Sequence, residues 1–145
     1  MNEREYLFFL LARREYSKAE LKEKLTRRGK LTAKAIESLV DEFAEKNWQS
    51  DIRCAETVIR VGIAKNYGKA RIRQKLIYDR KIAADLADEA LTSAAINWPV
   101  QAEKCYQKKY RDQAIIDYQD KQKRLQYLLR QGFDYQVAVK ILENR

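Results

Sequence analysis

The side chains with the best claim to chemistry are cations. Arg13, Arg14, Lys22, Arg27 and Arg28 lie early in the chain, Lys69, Arg71, Arg73 and Lys75 near its middle, and Lys121, Lys123, Arg124 and Arg130 toward its end. Clustered Lys and Arg attract phosphates and carboxylates, so the chemistry on offer is ionic recognition. The overall balance agrees: 30 Lys and Arg stand against 21 Asp and Glu, a net charge of +9. Successive thirds carry about +2, +3 and +4, a shallow gradient with acids interspersed throughout.

Catalytic material is scarce. There is no histidine, the commonest general base and metal ligand. Cys54 and Cys105 are too far apart for a zinc spacing. No Gly-rich phosphate loop and no Gly-x-Ser-x-Gly elbow occurs. The many carboxylates fall on what read as solvated helix faces. The expectation is a binding protein without cofactor or metal, not an enzyme.

The elements that must position the cations are helices. One proline and four glycines among 145 residues, with 46% hydrophobic and 35% charged residues, suit an almost all-helical chain. Apolar spacings of three and four predict helices over 3–15, 18–28, 33–46, 51–65, 69–79, 83–95, 99–111 and 118–130, and a ninth after Asp134. Ser17 and Glu20 have the spacing of a capping box. Gly29 stands where the second helix must stop, and Thr32 caps the third. Ile52, Ala55, Val58, Ile59 and Ile63 are expected inward on the fourth helix, with Gly62 letting a neighbour approach closely. The turn Asp79-Arg80-Lys81 has no glycine and is expected to be less sharp.

The pattern repeats. Leu21, Leu25, Leu31, Leu39 and Val40 match Ile72, Leu76, Ile82, Ala90 and Leu91, each 51 positions on. A second step, with a one-residue slip at the turn, reaches Leu128, Gly132, Phe133, Ile141 and Leu142. A fixed period marks a repeat architecture. A unit of about 50 residues buries too little to be comfortable alone, and stacked copies share apolar faces. The predicted fold is all-α, three tandem three-helix repeats stacked into an elongated, curved array, with units at 1–49, 50–98 and 99–145.

Within each unit the middle helix is basic, and in the first two the third helix is acidic. Ordinary surface charge, with pairs such as Glu20–Lys24, would produce individual residues of this kind. The same sign in three copies points instead to a basic stripe along one side. A helix-turn-helix would put the third helix in the major groove, yet no Lys or Arg occurs over 83–95; phosphate contact needs cations. Sequence-specific DNA reading is therefore disfavoured, and weak non-specific DNA contact through the middle helices stays open. Tyr16, Tyr67 and Tyr78 could stack on bases or serve as packing residues. Two cysteines and no signal peptide fit a cytoplasmic setting. No apolar run approaches a membrane span, so no membrane partner is expected.

Residues 10–17, Leu-Leu-Ala-Arg-Arg-Glu-Tyr-Ser, followed by Glu20-Leu21 and Lys24-Leu25, resemble the opening repeat of the RecX regulatory proteins. So does the segment from Asp51 to Ile82, with Ile72-Arg73-Gln74-Lys75-Leu76. The ending Leu128-Leu129-Arg130-Gln131-Gly132-Phe133 is similar to that family's closing Leu-x-Arg-Arg-Gly-Phe motif, with Gln131 in place of the second Arg. The resemblance implies a bacterial cytoplasmic modulator of the RecA recombinase, built from three three-helix repeats. It would bind RecA and RecA–DNA filaments and inhibit filament growth, ATP hydrolysis and strand exchange, with consequences for DNA repair and the SOS response. A monomer is expected.

Overall fold

A computed structural model describes residues 1–143 and 145. Its described residues form nine α-helices: α1 (Glu3–Arg13), α2 (Lys18–Arg28), α3 (Ala33–Glu45), α4 (Asp51–Ala64), α5 (Lys69–Gln74), α6 (Ala84–Ser93), α7 (Trp98–Tyr110), α8 (Tyr118–Arg130) and α9 (Tyr135–Leu142). They are organised as three-helix units in an elongated, curved array.

Most helices start where a short polar side chain can take an orphan amide. The side chains of Asn2, Ser17, Thr32, Ser50, Asn97, Asp117 and Asp134 each accept such a bond. Ser17 and Glu20 form the full capping box. Gly29, at φ 67°, ends α2 in the left-handed region. In the second unit α5 loosens into a π-helical turn over Lys75–Asp79, where the Arg80 amide reaches back to the Lys75 carbonyl at 3.1 Å. Lys81 then takes the left-handed conformation at φ 58°, the role glycine plays in the first unit. The glycine-free turn is thus kept sharp at a strain cost of about 1 kcal/mol.

Each unit has its own core. Leu7, Leu21, Leu25, Val40 and Phe43 anchor the first. Cys54, Ala55, Ile72, Leu76 and Leu91 anchor the second. Ala102, Tyr106, Leu128, Phe133 and Leu142 anchor the third. Trp98 opens α7, one residue before the expected start, and packs against both the second and third cores. Gly62 meets the expectation of close approach: a Cβ there would lie 2.6 Å from Ile72 Cγ1. Ile52 does not turn inward. It is 56% exposed, because α4 directs its buried face through Cys54, Ala55 and Ile59.

Buried glutamines close the segments that lead from one unit to the next, Gln49 within the first unit and Gln101 from the third unit to the second. Gln49 Nε2 donates to the Tyr16 carbonyl at 3.1 Å, and Gln101 Nε2 donates to the Ile63 and Tyr67 carbonyls at 2.9 and 3.4 Å. Tyr16 and Tyr67 occupy matching places 51 positions apart, so the same latch is used twice.

Candidate binding surface

Of the thirteen cations singled out by sequence, several are committed inside the protein. Arg14 pairs with Glu20 at 2.9 Å and lies 3.6 Å over the Tyr16 ring. Arg28 pairs with Glu3 at 2.9 Å and covers Tyr6 at 4.3 Å. That guanidinium holds the Glu3 carboxyl below its ordinary range. Arg73 grips Asp88 with bonds of 2.6 and 3.2 Å, which likewise lowers the Asp88 carboxyl. Arg27 pairs with Glu23 one turn away at 2.7 Å, and Lys75 lies 3.9 Å from Asp79. The contrast between basic middle helices and acidic third helices is therefore partly an internal matter, since Lys18–Asp41 and Arg73–Asp88 tie one to the other.

Arg124 corrects the sequence reading outright. It was expected on the outer face of α8, but it is 3% exposed. Its guanidinium donates to Tyr106 Oη at 2.6 Å, to the Gln113 and Ala114 carbonyls at 2.8 and 3.1 Å, and to Asp120 at 3.0 Å. It pins the loop between α7 and α8 and cannot reach a partner.

Arg13, Lys22, Lys69, Arg71, Lys121, Lys123 and Arg130 have no ion-pair partner among the described residues. Arg13 lies 5.5 Å over Phe9, and Lys22 is half-buried. The most coherent set spans the second and third units. Arg71 stacks 3.9 Å over Tyr67 and donates to Gln131 Oε1 at 2.9 Å, which carries it across the junction. Beyond it a shallow groove between α7 and α8 is lined by Lys109, Tyr110, Gln122, Lys123, Gln126 and Arg130, without a carboxylate. A second shallow groove is lined by Arg71, Gln74, Lys75, Tyr78 and Asp79. Tyr78 is 75% exposed there, so of the three tyrosines considered for stacking it offers an open ring, whereas Tyr16 and Tyr67 are packing residues under arginines.

Lys109 was not among the expected binding residues. It sits 4.0 Å over the Tyr127 ring. The signal in the sequence is the run Lys104, Lys108 and Lys109 on α7 with Arg111 just past its end. Burial pushes the Tyr127 hydroxyl up to about 12, so the ring beneath Lys109 stays neutral at physiological pH. A neutral aromatic under an ammonium keeps the cation in place without cancelling its charge. The surface can bind extended anions through several weak contacts.

Nothing comparable supports covalent chemistry. The Cys54 thiol is buried and pushed up to about 11 by that burial, and burial also raises Cys105. Among the described residues no group of three His, Cys, Asp or Glu could hold a metal, and no helix is long and apolar enough to cross a membrane.

Comparison with known proteins places this architecture. A family model described as "RecX, third three-helix domain" matches residues 100–142. "Regulatory protein RecX" of Haemophilus influenzae (strain PittEE) is 37% identical over 131 residues, covering 88% of this chain and 84% of the relative. "Regulatory protein RecX" of Legionella pneumophila (strain Corby) is 36% identical over 134 residues, covering 92% and 88%. The crystal structure of RecX from Lactobacillus salivarius superposes with a TM-score of 0.83 at 18% identity, over 97% of this chain and 92% of that one. With relatives this similar along most of its length, and with the same helical array, the chain belongs to the RecX family of regulatory proteins.

Proposed function

We propose that this regulatory protein binds RecA and RecA–DNA filaments and restrains the recombinase, slowing filament growth, ATP hydrolysis and strand exchange and so moderating DNA repair and the SOS response. The observation that carries the reading is the cationic surface across the second and third units, where Arg71, Lys109, Lys123 and Arg130 have no carboxylate partners. A nucleoprotein filament is a long polyanion, and cations held over aromatic rings suit such a target. An elongated array engages neighbouring subunits at once, so weak contacts add through multivalency. Family membership supports the same target. Units at 1–49, 50–98 and 99–145 belong to this proposal, supported by one hydrophobic core in each. So does a cytoplasmic setting, supported by two free, buried thiols.

The test is a RecA ATPase assay on single-stranded DNA, titrated with this protein. The native chain should suppress turnover. The triple variant Lys109→Glu, Lys123→Glu, Arg130→Glu should need at least about tenfold more protein, at unchanged helical content. Full inhibition by that variant at ordinary salt removes this surface from the mechanism. A second reading, direct non-specific DNA binding, draws on the open Tyr78 ring beside Arg71 and Lys75. Affinity for DNA alone that falls steeply with salt favours it; DNA association only when RecA is present favours the modulator.

A further inference from the structure

The first and third helices of the three units meet differently at one set of equivalent positions, Phe43, Ala94 and Arg145, spaced 51 apart. In the first unit Phe43 is fully buried there, with Phe8 at 4.8 Å and Trp48 at 5.0 Å against it. A shallow groove between α1 and α3 is bridged by the Arg4–Glu42 ion pair. In the third unit Arg145 lies 4.6 Å over the Tyr106 ring and pairs with Glu103, joining α9's end to α7. In the second unit a methyl group stands in for the phenyl ring or the guanidinium. Here a cleft stays open, with a volume of about 650 Å³, walled by Ile52, Ile59 and Ile63 of α4 and by Leu86, Ala90 and Ile96 on the α6 side.

We propose that this cleft receives a basic amphipathic helix of a partner protein. Its walls are aliphatic and run along two helices, the shape that takes a helix by its i, i+3/i+4, i+7 residues. Its rim selects the charge of the occupant. Glu56 and Glu89 line the edge against a single cation, Arg60. No Lys or Arg occurs within Ala84–Ser93 of α6 to offset Glu89, and its Asp88 is spent on Arg73 outside the lining. An acidic helix would face like charge along this rim, and a basic one gains complementary contacts. A second copy of this chain is not the occupant, because its basic helices α2, α5 and α8 bury their apolar residues Leu21, Leu25, Ile72, Leu125 and Leu128 in the cores of their own units. The proposal accounts for Ile52, an isoleucine 56% exposed at the mouth of the cleft. It concerns α4 and α6, whereas the cationic surface is built on α5, α7 and α8, so the two stand or fall separately.

The experiment uses the full chain with isotope-labelled isoleucine methyl groups. The probe is a synthetic 14-residue helix with leucine on one face and lysine on the other; its counterpart carries glutamate instead of lysine. The lysine helix should shift the methyls of Ile52, Ile59, Ile63 and Ile96 together and saturably, and the glutamate helix should leave them unmoved. Ala94→Phe, which imports the first unit's plug, should weaken the interaction at least about tenfold. Glu56→Lys with Glu89→Lys, on the exposed rim, should weaken it by a similar factor and does not depend on repacking the cleft. Silent cleft methyls, equal shifts with the glutamate helix, or undiminished binding by the rim variant would each overturn the proposal.

Discussion

At the junction of the first and second units, the Ser17 hydroxyl donates to the Arg80 carbonyl. At the junction of the second and third, in positions 51 further on, the Gly68 amide donates to the Gln131 carbonyl at 2.7 Å. The place is the same, and the chemistry differs. The first junction is built from side chains: the Lys18 amide donates to Asp51 at 2.9 Å, Glu15 pairs with Arg53 at 2.7 Å, Glu20 with Arg80 at 3.6 Å, and Glu23 with Lys81. The second adds main chain on main chain to the Arg71–Gln131 and Gln101 contacts and has no ion pair among the described residues. Gly68 and Ala70 offer their amides, the orphan donors at the start of α5, to the Gln131 and Gly132 carbonyls at the end of α8, at 2.7 and 3.0 Å. Glycine makes this possible, since a Cβ on Gly68 would collide with the Gly132 backbone and one on Gly132 would lie 2.5 Å from the Arg71 amide nitrogen. Repeats conserve where they touch more strictly than how.

The largest way to break this comparison is steric. Gly68→Ala should cost about 2–4 kcal/mol in chemical denaturation, because the clash is with backbone that cannot rotate aside. Ser17→Gly at the equivalent place should cost only the cap and one bond, about 1 kcal/mol. Equal losses would mean the two junctions are not organised differently.

Next come the glutamine latches, which should behave alike. Gln49→Leu strands the buried Tyr16 carbonyl and Gln101→Leu removes the side-chain donor from the half-buried Tyr67 carbonyl, and each should destabilise by about 1–3 kcal/mol. A large difference between them would show that the shared latch is not shared in energy.

Salt should separate the junctions more gently. Glu15→Gln with Glu23→Gln should cost about 1 kcal/mol or less, in keeping with partly exposed pairs. Raising ionic strength should speed amide hydrogen exchange in α2 while leaving the start of α5 protected, since its bonds involve no side-chain charge.

The smallest effect is in acid. Hydrogen bonds from Arg28, Lys18 and Arg4 hold the carboxyls of Glu3, Asp41 and Glu42 below their ordinary values, Glu42 down to about 2. A carboxyl lowered by folding contributes stability above its unfolded value and loses it as pH falls through its folded one. For Glu42 that window runs from the ordinary carboxyl value of 4.5 down to about 2. All three lie in the first unit, whereas Asp88 and Asp120 are the lowered carboxyls of the others. Acid titration followed by residue-resolved NMR should therefore loosen the first unit before the third, and Glu42→Gln should narrow that gap.

Much of this was legible in the sequence, for a physical reason in each case. Ser17, Thr32 and Asp134 announced helix starts because capping is local, and Gly29 announced a stop because only its own φ matters. The 51-residue period exposed the repeats because stacked units bury the same positions. What stayed hidden depended on neighbours distant in sequence. Arg124 reads as surface between Lys123 and the periodic leucines, but carbonyls of the α7–α8 loop draw it inside. Ile52 reads as core by spacing, yet it stands at the mouth of an open cleft where Ala94 takes the place that Phe43 fills in the first unit. Gly68 reads as a turn residue, and nothing local says that it meets Gly132. The binding surface was legible as charge and not as geometry, because the pairs that consume Arg28 and Arg73 lie 25 and 15 positions away.

The bonds from α5 to the end of α8 have a consequence for how the chain can be cut or shuffled. Six of the seven side-chain caps sit on helices of the outer units and one on α4, while α5 and α6 carry none. The central segment thus borrows its finishing from a neighbour downstream, so it is not an interchangeable brick. A protein shortened at its carboxyl end would leave α5 with bare amides facing water, and the damage would surface in the middle of the array.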